Sequence, residues 1–223
     1  MLCWLQKVFQ WIALKFRGNR SLPAAFLFPR APRFSDGGRA FTDKTALLPD
    51  AIVFLGDSMT YYANWSKEFP AVATSNQGIG GNTSRQVLAR LAPIIKAKPK
   101  AIFLRIGIND LQNDMLQCEY APVYKDIVAA IRSQVPGTKL FCMAVCPIGQ
   151  PFAAYHIGIR ERIQKYNDVI RSLSEIYGAV YIDDHVLLAD GNGWLRTEYY
   201  ADGLHLSPDG YRVVFEVVRR HLS

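Results

Sequence analysis

Ala51-Ile-Val-Phe-Leu-Gly-Asp-Ser58 is the stretch from which the fold of this chain can be read. Ala51 to Leu55 is an unbroken apolar run holding Ile52, Val53 and Phe54, which predicts a strand buried on both faces. Gly56 permits a sharp turn, and Asp57-Ser58 then fall at the carboxyl end of that strand, just ahead of a predicted helix. In an open α/β sheet that edge is where ligands bind. A serine placed there has its backbone N–H at a helix start beside its hydroxyl, which suits attack on a carbonyl whose oxygen becomes negative. A nucleophile also needs a base and an oxyanion site, which must come from elsewhere in the chain.

Downstream of this stretch, apolar runs alternate with helical patterns, as in a parallel sheet with helices on both faces. Strands are expected at 51–55, 72–76, 101–106, 139–145 and 180–183. Helices are expected at 60–69, from 83 to 95 with Pro93 disturbing the end, at 122–134, at 155–177 closed by Gly178, and from Pro208 to about His221. The expected architecture is α/β, a three-layer α/β/α sandwich whose five parallel strands run in the flavodoxin-like order 2-1-3-4-5.

Upstream the composition changes. Residues 1–20 read as an amphipathic helix, with Leu2, Leu5, Phe9, Ile12 and Phe16 at helical spacing and Lys7, Lys15, Arg17 and Arg20 as the basic complement. Its longest charge-free stretch, Val8–Leu14, is far short of the ~20 residues a spanning helix needs. It is also thin for a secretory signal, and no clear cleavage site follows. Such a helix either lies on an anionic membrane surface or packs on its own body or on a second subunit, which would make a homodimer. Residues 21–50, with Pro23, Pro29, Pro32, Pro49 and Gly37-Gly38, read as an irregular arm packing on the body. The expected location is cytoplasmic, with membrane association through residues 1–20 and secretion both left open.

Charge follows the same division. Of the net +7, residues 1–50 carry +5 (8 Lys/Arg against 3 Asp/Glu) and residues 51–223 carry +2 (18 against 16). A nearly balanced body argues against nucleic acid as the partner, because phosphate binding needs a clustered basic face. Cys3, Cys118, Cys142 and Cys146 are too few and too scattered for a disulfide framework. On one strand, Cys142 and Cys146 would lie ~13 Å apart, too far to bond. Free, buried thiols are the expectation, and no metal or other cofactor is expected.

Three strand ends carry glycine together with a polar group: Gly56-Asp-Ser58, Gly80-Gly-Asn82 and Gly107-Ile-Asn109. In a parallel sheet all three point to one edge, so they can converge although about 25 positions separate them. Asp202-Gly-Leu-His205 adds a carboxylate and an imidazole at a spacing that lets a tight loop place one on the other. That fixes the tautomer so that the second ring nitrogen can accept a serine proton.

With these residues in view, the chain resembles the SGNH (GDSL-type) hydrolase superfamily. The likeness covers residues 51–223 and rests on four blocks in order: Phe54-Leu-Gly-Asp-Ser-Met-Thr60, Asn76-Gln-Gly-Ile-Gly-Gly-Asn-Thr83, Gly107-Ile-Asn-Asp110 and Asp202-Gly-Leu-His205. Met59 stands where the family tag has leucine, and Asn82 replaces an aspartate common at that position. The resemblance implies a catalytic triad of Ser58, His205 and Asp202. It also implies an oxyanion hole made by the backbone N–H groups of Ser58 and Gly81 and the side-chain amide of Asn109. Among relatives the second block looks most like short-chain acetylesterases and the platelet-activating-factor acetylhydrolase-like group. The implied substrate is therefore a small-molecule or glycan ester with a short acyl group, acetyl above all.

Rival readings are a lysophospholipase or thioesterase at a membrane surface, a noncatalytic carbohydrate-binding relative, and a flavin or phosphate binder using the loop Gly78–Asn82. The last fits poorly, since Gly78-Ile-Gly-Gly81 does not match G-x-G-x-x-G. Asp57 is expected to cap or brace its turn. His156 sits either at a substrate mouth or in a surface loop, His221 is expected in solvent, and Asp183-Asp-His185 fits loop capping better than metal.

Overall fold

The structure, a computed structural model, describes residues 47, 49–154 and 156–222. The expected helix 1–20 and nearly all of the expected arm lie outside the described residues. Five strands make one parallel sheet: β1 Ile52–Gly56, β2 Thr74–Gly78, β3 Ala101–Arg105, β4 Lys139–Met143 and β5 Val180–Ile182, in the order β2-β1-β3-β4-β5. This is the order expected for the doubly wound fold.

Alternation along β1 explains the three layers. Val53 and Leu55 face one buried cluster with Tyr124, Ile127 and Ile170. Ile52 and Phe54 face another with Trp65, Phe69 and Val218. Both faces are covered, so the strand reads as a continuous apolar run. Helices α1 Ser58–Tyr61, α2 Trp65–Glu68 and α10 Pro208–Leu222 supply residues to the second cluster. The first is supplied by α3 Ser84–Ala89, α4 Leu91–Lys96, α5 Ile108–Gln112, α6 Gln117–Gln134 and α8 Ile159–Tyr177. Short helices α7 Gln150–Ala153 and α9 His185–Leu188 complete the described set.

Several boundaries differ from those the sequence predicts, each for a local reason. The helix expected at 60–69 is two, α1 and α2, separated at Tyr62–Asn64. The carbonyls freed at Tyr61 and Ala63 accept from Asn76 Nδ2, 3.1 Å each, and Asn64 caps α2 by accepting from the Lys67 N–H at 3.2 Å. The next helix breaks at Arg90 rather than near its end. Pro93 then occupies the first turn of α4, where its missing N–H costs nothing. Helix α6 begins at Gln117, five residues before Pro122, with Glu119 accepting from the Leu116 N–H at 2.9 Å. The helix expected from 155 starts at Ile159, after Gly158 at φ +69°. β2 begins at Thr74, later than expected, which brings Gly78 opposite Gly56.

Cys142 and Cys146 are buried free thiols.

Candidate active site

The carboxyl end of β1 turns abruptly because Gly56 is pressed against its neighbours. A Cβ there would lie 2.1 Å from the Arg105 carbonyl oxygen and 2.4 Å from Thr60 Oγ1. The chain therefore passes directly from strand to α1, whose first residue is Ser58. Asp57 caps that helix, its Oδ1 accepting from the Met59 N–H at 3.0 Å. The turn is also held from outside: Tyr211 donates to the Met59 carbonyl at 2.9 Å, and Trp65 Nε1 donates to the Thr60 carbonyl at 3.0 Å. Trp65 in turn stacks on Phe54, ring centroids 3.7 Å apart. The serine hydroxyl thus stands on a packed aromatic base.

The loop after the short segment Thr197–Tyr199 brings in a carboxylate and an imidazole, Asp202 and His205. Asp202 Oδ1 accepts from the Leu204 N–H at 2.9 Å and the His205 N–H at 2.7 Å, closing the loop. Its Oδ2 accepts from His205 Nδ1 at 2.6 Å, which leaves Nε2 as the acceptor. Ser58 Oγ lies 3.1 Å from that Nε2 and donates to it. Tyr62 packs edge-on to the imidazole, centroids 5.2 Å apart. Burial alone would raise Asp202, but the bonds from the His205 ring and the backbone N–H groups outweigh it and hold the carboxyl below its ordinary range.

The second block reaches the same place. Gly80 lies against the serine, since a Cβ on it would be 3.9 Å from Ser58 Cβ, and Gly81 follows at φ +78°, a conformation that favours glycine. Asn109 sits in the first turn of α5, and its Nδ2 donates to the Asn82 carbonyl at 2.9 Å. An amide nitrogen has two protons, so one remains for a ligand. The segment bearing Gly81 and the helix bearing Asn109 are locked together by Asp110. That carboxylate accepts from the Ser84 N–H at 3.1 Å, from Ser84 Oγ at 2.8 Å and from Tyr166 OH at 3.3 Å. All five residues expected from the motifs therefore lie in one region at the carboxyl edge of the sheet. Nothing in motif spacing points to Tyr62, Ser84 or Arg90, and Asp110 ends a motif block that assigns it no role; the one signal is Arg90 standing alone in the apolar run from Val87 to Ile95.

The model of the GDSL-like Lipase/Acylhydrolase family matches residues 54–213, a span running from the first block past the last. The chain belongs to the GDSL-like lipase/acylhydrolase family. It is a carboxylic ester hydrolase. Platelet-activating factor acetylhydrolase IB subunit alpha2 of Homo sapiens is 29% identical over 170 residues, 73% of this chain and 71% of that one. The alpha1 subunit of Rattus norvegicus is 26% identical over the same length. A solved protein from Streptococcus pneumonia, named for platelet activating factor, superposes with TM-score 0.73 at 28% identity, covering 82% of this chain and 87% of its own. The acetylxylan esterase Axe2 from Geobacillus stearothermophilus shares the fold, TM-score 0.63 at 18% identity over 80% of this chain and 96% of its own.

Behind the site, this GDSL-like acylhydrolase buries an ion pair. Arg105, at the end of β3, donates to Asp184 and to Cys146 Sγ. Asp184, in a run that fits loop capping by sequence, makes no side-chain capping bond and pairs with Arg105 instead. Its neighbours go elsewhere, Asp183 to Arg171 at 2.8 Å and His185 Nδ1 to the Val145 carbonyl at 2.9 Å. His156 stacks on Phe152 at 4.9 Å. His221, expected in solvent, is half-buried beside Phe141, 5.4 Å away. Among the described residues no helix is long and apolar enough to cross a membrane.

Proposed function

We propose that this chain is a serine esterase for short-chain esters, acetyl esters first, carried on a hydroxyl-rich alcohol such as a carbohydrate. The observation that carries the reading is the relay from Asp202 through His205 to Ser58, with contacts of 2.6 and 3.1 Å. Ser58 Oγ attacks the ester carbonyl while its proton passes to His205 Nε2. The carbonyl oxygen, now negative, is received by the N–H groups of Ser58 and Gly81 and by the second amide proton of Asn109. Collapse breaks the bond to the alcohol, which takes the proton from His205. Water, deprotonated by the same imidazole, then releases the acid and restores the serine. Asp202 keeps His205 in the tautomer that can do this and stabilises the imidazolium as it forms.

Two features support the substrate class. A cavity of about 730 Å³ beside the acid–base loop is walled by Gln150, Asp190, Trp194, Arg196, Glu198 and Tyr200. Both walls are tied to that loop: the Gly149 N–H donates to the Gly203 carbonyl at 2.7 Å, and Tyr200 bridges to Leu206. Two aromatic rings among carboxylates, a guanidinium and an amide suit an alcohol rich in hydroxyls. The name acetylhydrolase, borne by relatives of 29% identity, favours acetyl.

Ser58→Ala is expected to abolish hydrolysis of 4-nitrophenyl acetate while circular dichroism and Tm stay at wild-type values; retained activity ends the assignment. Across acetate, octanoate and palmitate esters the rate should fall with length. A steep preference for palmitate would replace the reading with a lysophospholipase or thioesterase. Comparing an acetylated xylo-oligosaccharide with an acetylated phospholipid decides the alcohol.

A further inference from the structure

Arg90 occupies the junction between α3 and α4, and its guanidinium reaches three acceptors on three separate segments. Nε donates to Asn82 Oδ1 at 2.9 Å, and one terminal nitrogen donates to the carbonyls of Gly56 and Gln77, each at 2.9 Å. Gly56 is the last residue of β1, two before Ser58, and Gln77 lies near the end of β2. Asn82 immediately follows Gly81, so the arginine clamps the nucleophile turn and the oxyanion loop to one rigid planar fork.

Asn82 is held from both sides. Its side chain accepts from Arg90, while its main-chain carbonyl accepts from Asn109 Nδ2 at 2.9 Å. Residue 82 therefore links Arg90 to the amide that the preceding section assigns to the oxyanion. Asn82 is buried, so water cannot replace the arginine cheaply. All three acceptors are neutral oxygens, and among the described residues no carboxylate pairs with Arg90. Its cost of burial, visible as a pKa held below the ordinary arginine value by desolvation, is offset by these bonds rather than by a counter-charge.

We infer that Arg90, acting through Asn82, is a positioning residue that sets the oxyanion hole in register with Ser58. The inference rests on the catalytic reading of Ser58, Gly81 and Asn109. Losing a whole oxyanion donor lowers turnover by ~10²–10³-fold, and a misplacement of about 1 Å can cost ~10²-fold. Arg90→Met should therefore reduce kcat by roughly 10–100-fold with KM changed by less than about threefold.

The decisive experiment is a double-mutant cycle on 4-nitrophenyl acetate hydrolysis, with Tm recorded for every variant. In the Asn109→Ala background Arg90→Met should cost clearly less than in the wild-type background, because one of the donors it positions is gone. Asn82→Ala should reproduce the kcat loss, and Asn82→Asp, which keeps an acceptor for the guanidinium, should restore most of it. Should Arg90→Met not fold, the two Asn82 variants decide the matter alone. An unchanged kcat in Arg90→Met or Asn82→Ala overturns the inference. So does an equal loss from Arg90→Met with and without Asn109, which would mark a purely structural role. Persistent activity in Ser58→Ala would instead sink the catalytic reading, so the two failures are distinguishable.

Discussion

Asp57 stands beside Ser58 without touching its hydroxyl, and its environment makes it unusual. Burial pushes its carboxyl up from 3.8 to about 6, with the Met59 N–H and the charges of Arg105 and His205 offsetting part of that rise. A carboxyl that holds its proton more tightly when folded favours the fold below the unfolded value, and this contribution is lost as pH rises through about 6. The shift corresponds to about 3 kcal/mol. Asp57→Asn keeps an oxygen for the Met59 N–H and removes the titration, so its Tm relative to wild type should climb between about pH 4 and pH 7. A flat difference across that range, in buffered thermal melts, would refute it. Asp202 has the opposite sign: its lowered pKa gives stability that is present above the unfolded value and lost as pH falls through the folded one. At this scale the residues with local spelling were legible, namely Ser58, Gly81, Asn109, Asp202 and His205. Ser84 with Asp110 and Arg105 with Asp184 were not, because partners 26 and 79 positions apart share no pattern along the chain.

Strands were the most legible elements, since both faces of the sheet are covered and each interior strand is an apolar run, with Arg105 and Lys139 only at strand ends. Helix interruptions were hidden, because they are settled by partners on other elements. The gap after Tyr61 exists where Asn76, on the neighbouring strand, can take the freed carbonyls. It lets Trp65 swing beneath β1 and stack on Phe54, within reach of Phe69 and, edge-on, Phe215. Phe54→Ala removes the ring at the centre of that stack and should cost about 3–5 kcal/mol in urea denaturation. Because the same stack supports α1, esterase activity should fall before the chain unfolds. Activity and fluorescence that decline together in urea would contradict that order.

At the scale of the molecule, the Arg105–Asp184 pair joins the end of β3 to the start of α9, beneath the site and away from water. Breaking such a pair leaves a charge stranded, so Asp184→Ala should lose about 3–5 kcal/mol. Replacing both partners by apolar residues, Arg105→Met with Asp184→Leu, should return much of it; equal losses in the single and double variants would argue against the pair as the cause. The doubly wound order was legible from the alternation of runs, and the family from four blocks in sequence. The large cavity beside the Asp202–His205 loop was not, because its walls come from a polar loop and a short helix with no periodicity to read.

The contact between Ser58 and His205 spans 147 positions of the chain. During synthesis at about 5–20 residues per second, Ser58 therefore exists for roughly 7–30 s before His205 has been made. If His205 is the base, as proposed above, a growing chain should be without esterase activity for that interval. On the proposed triad, hydrolysis should begin only when the loop before α10 docks, so the appearance of esterase activity in a translation reaction would be a clock for completion of the fold.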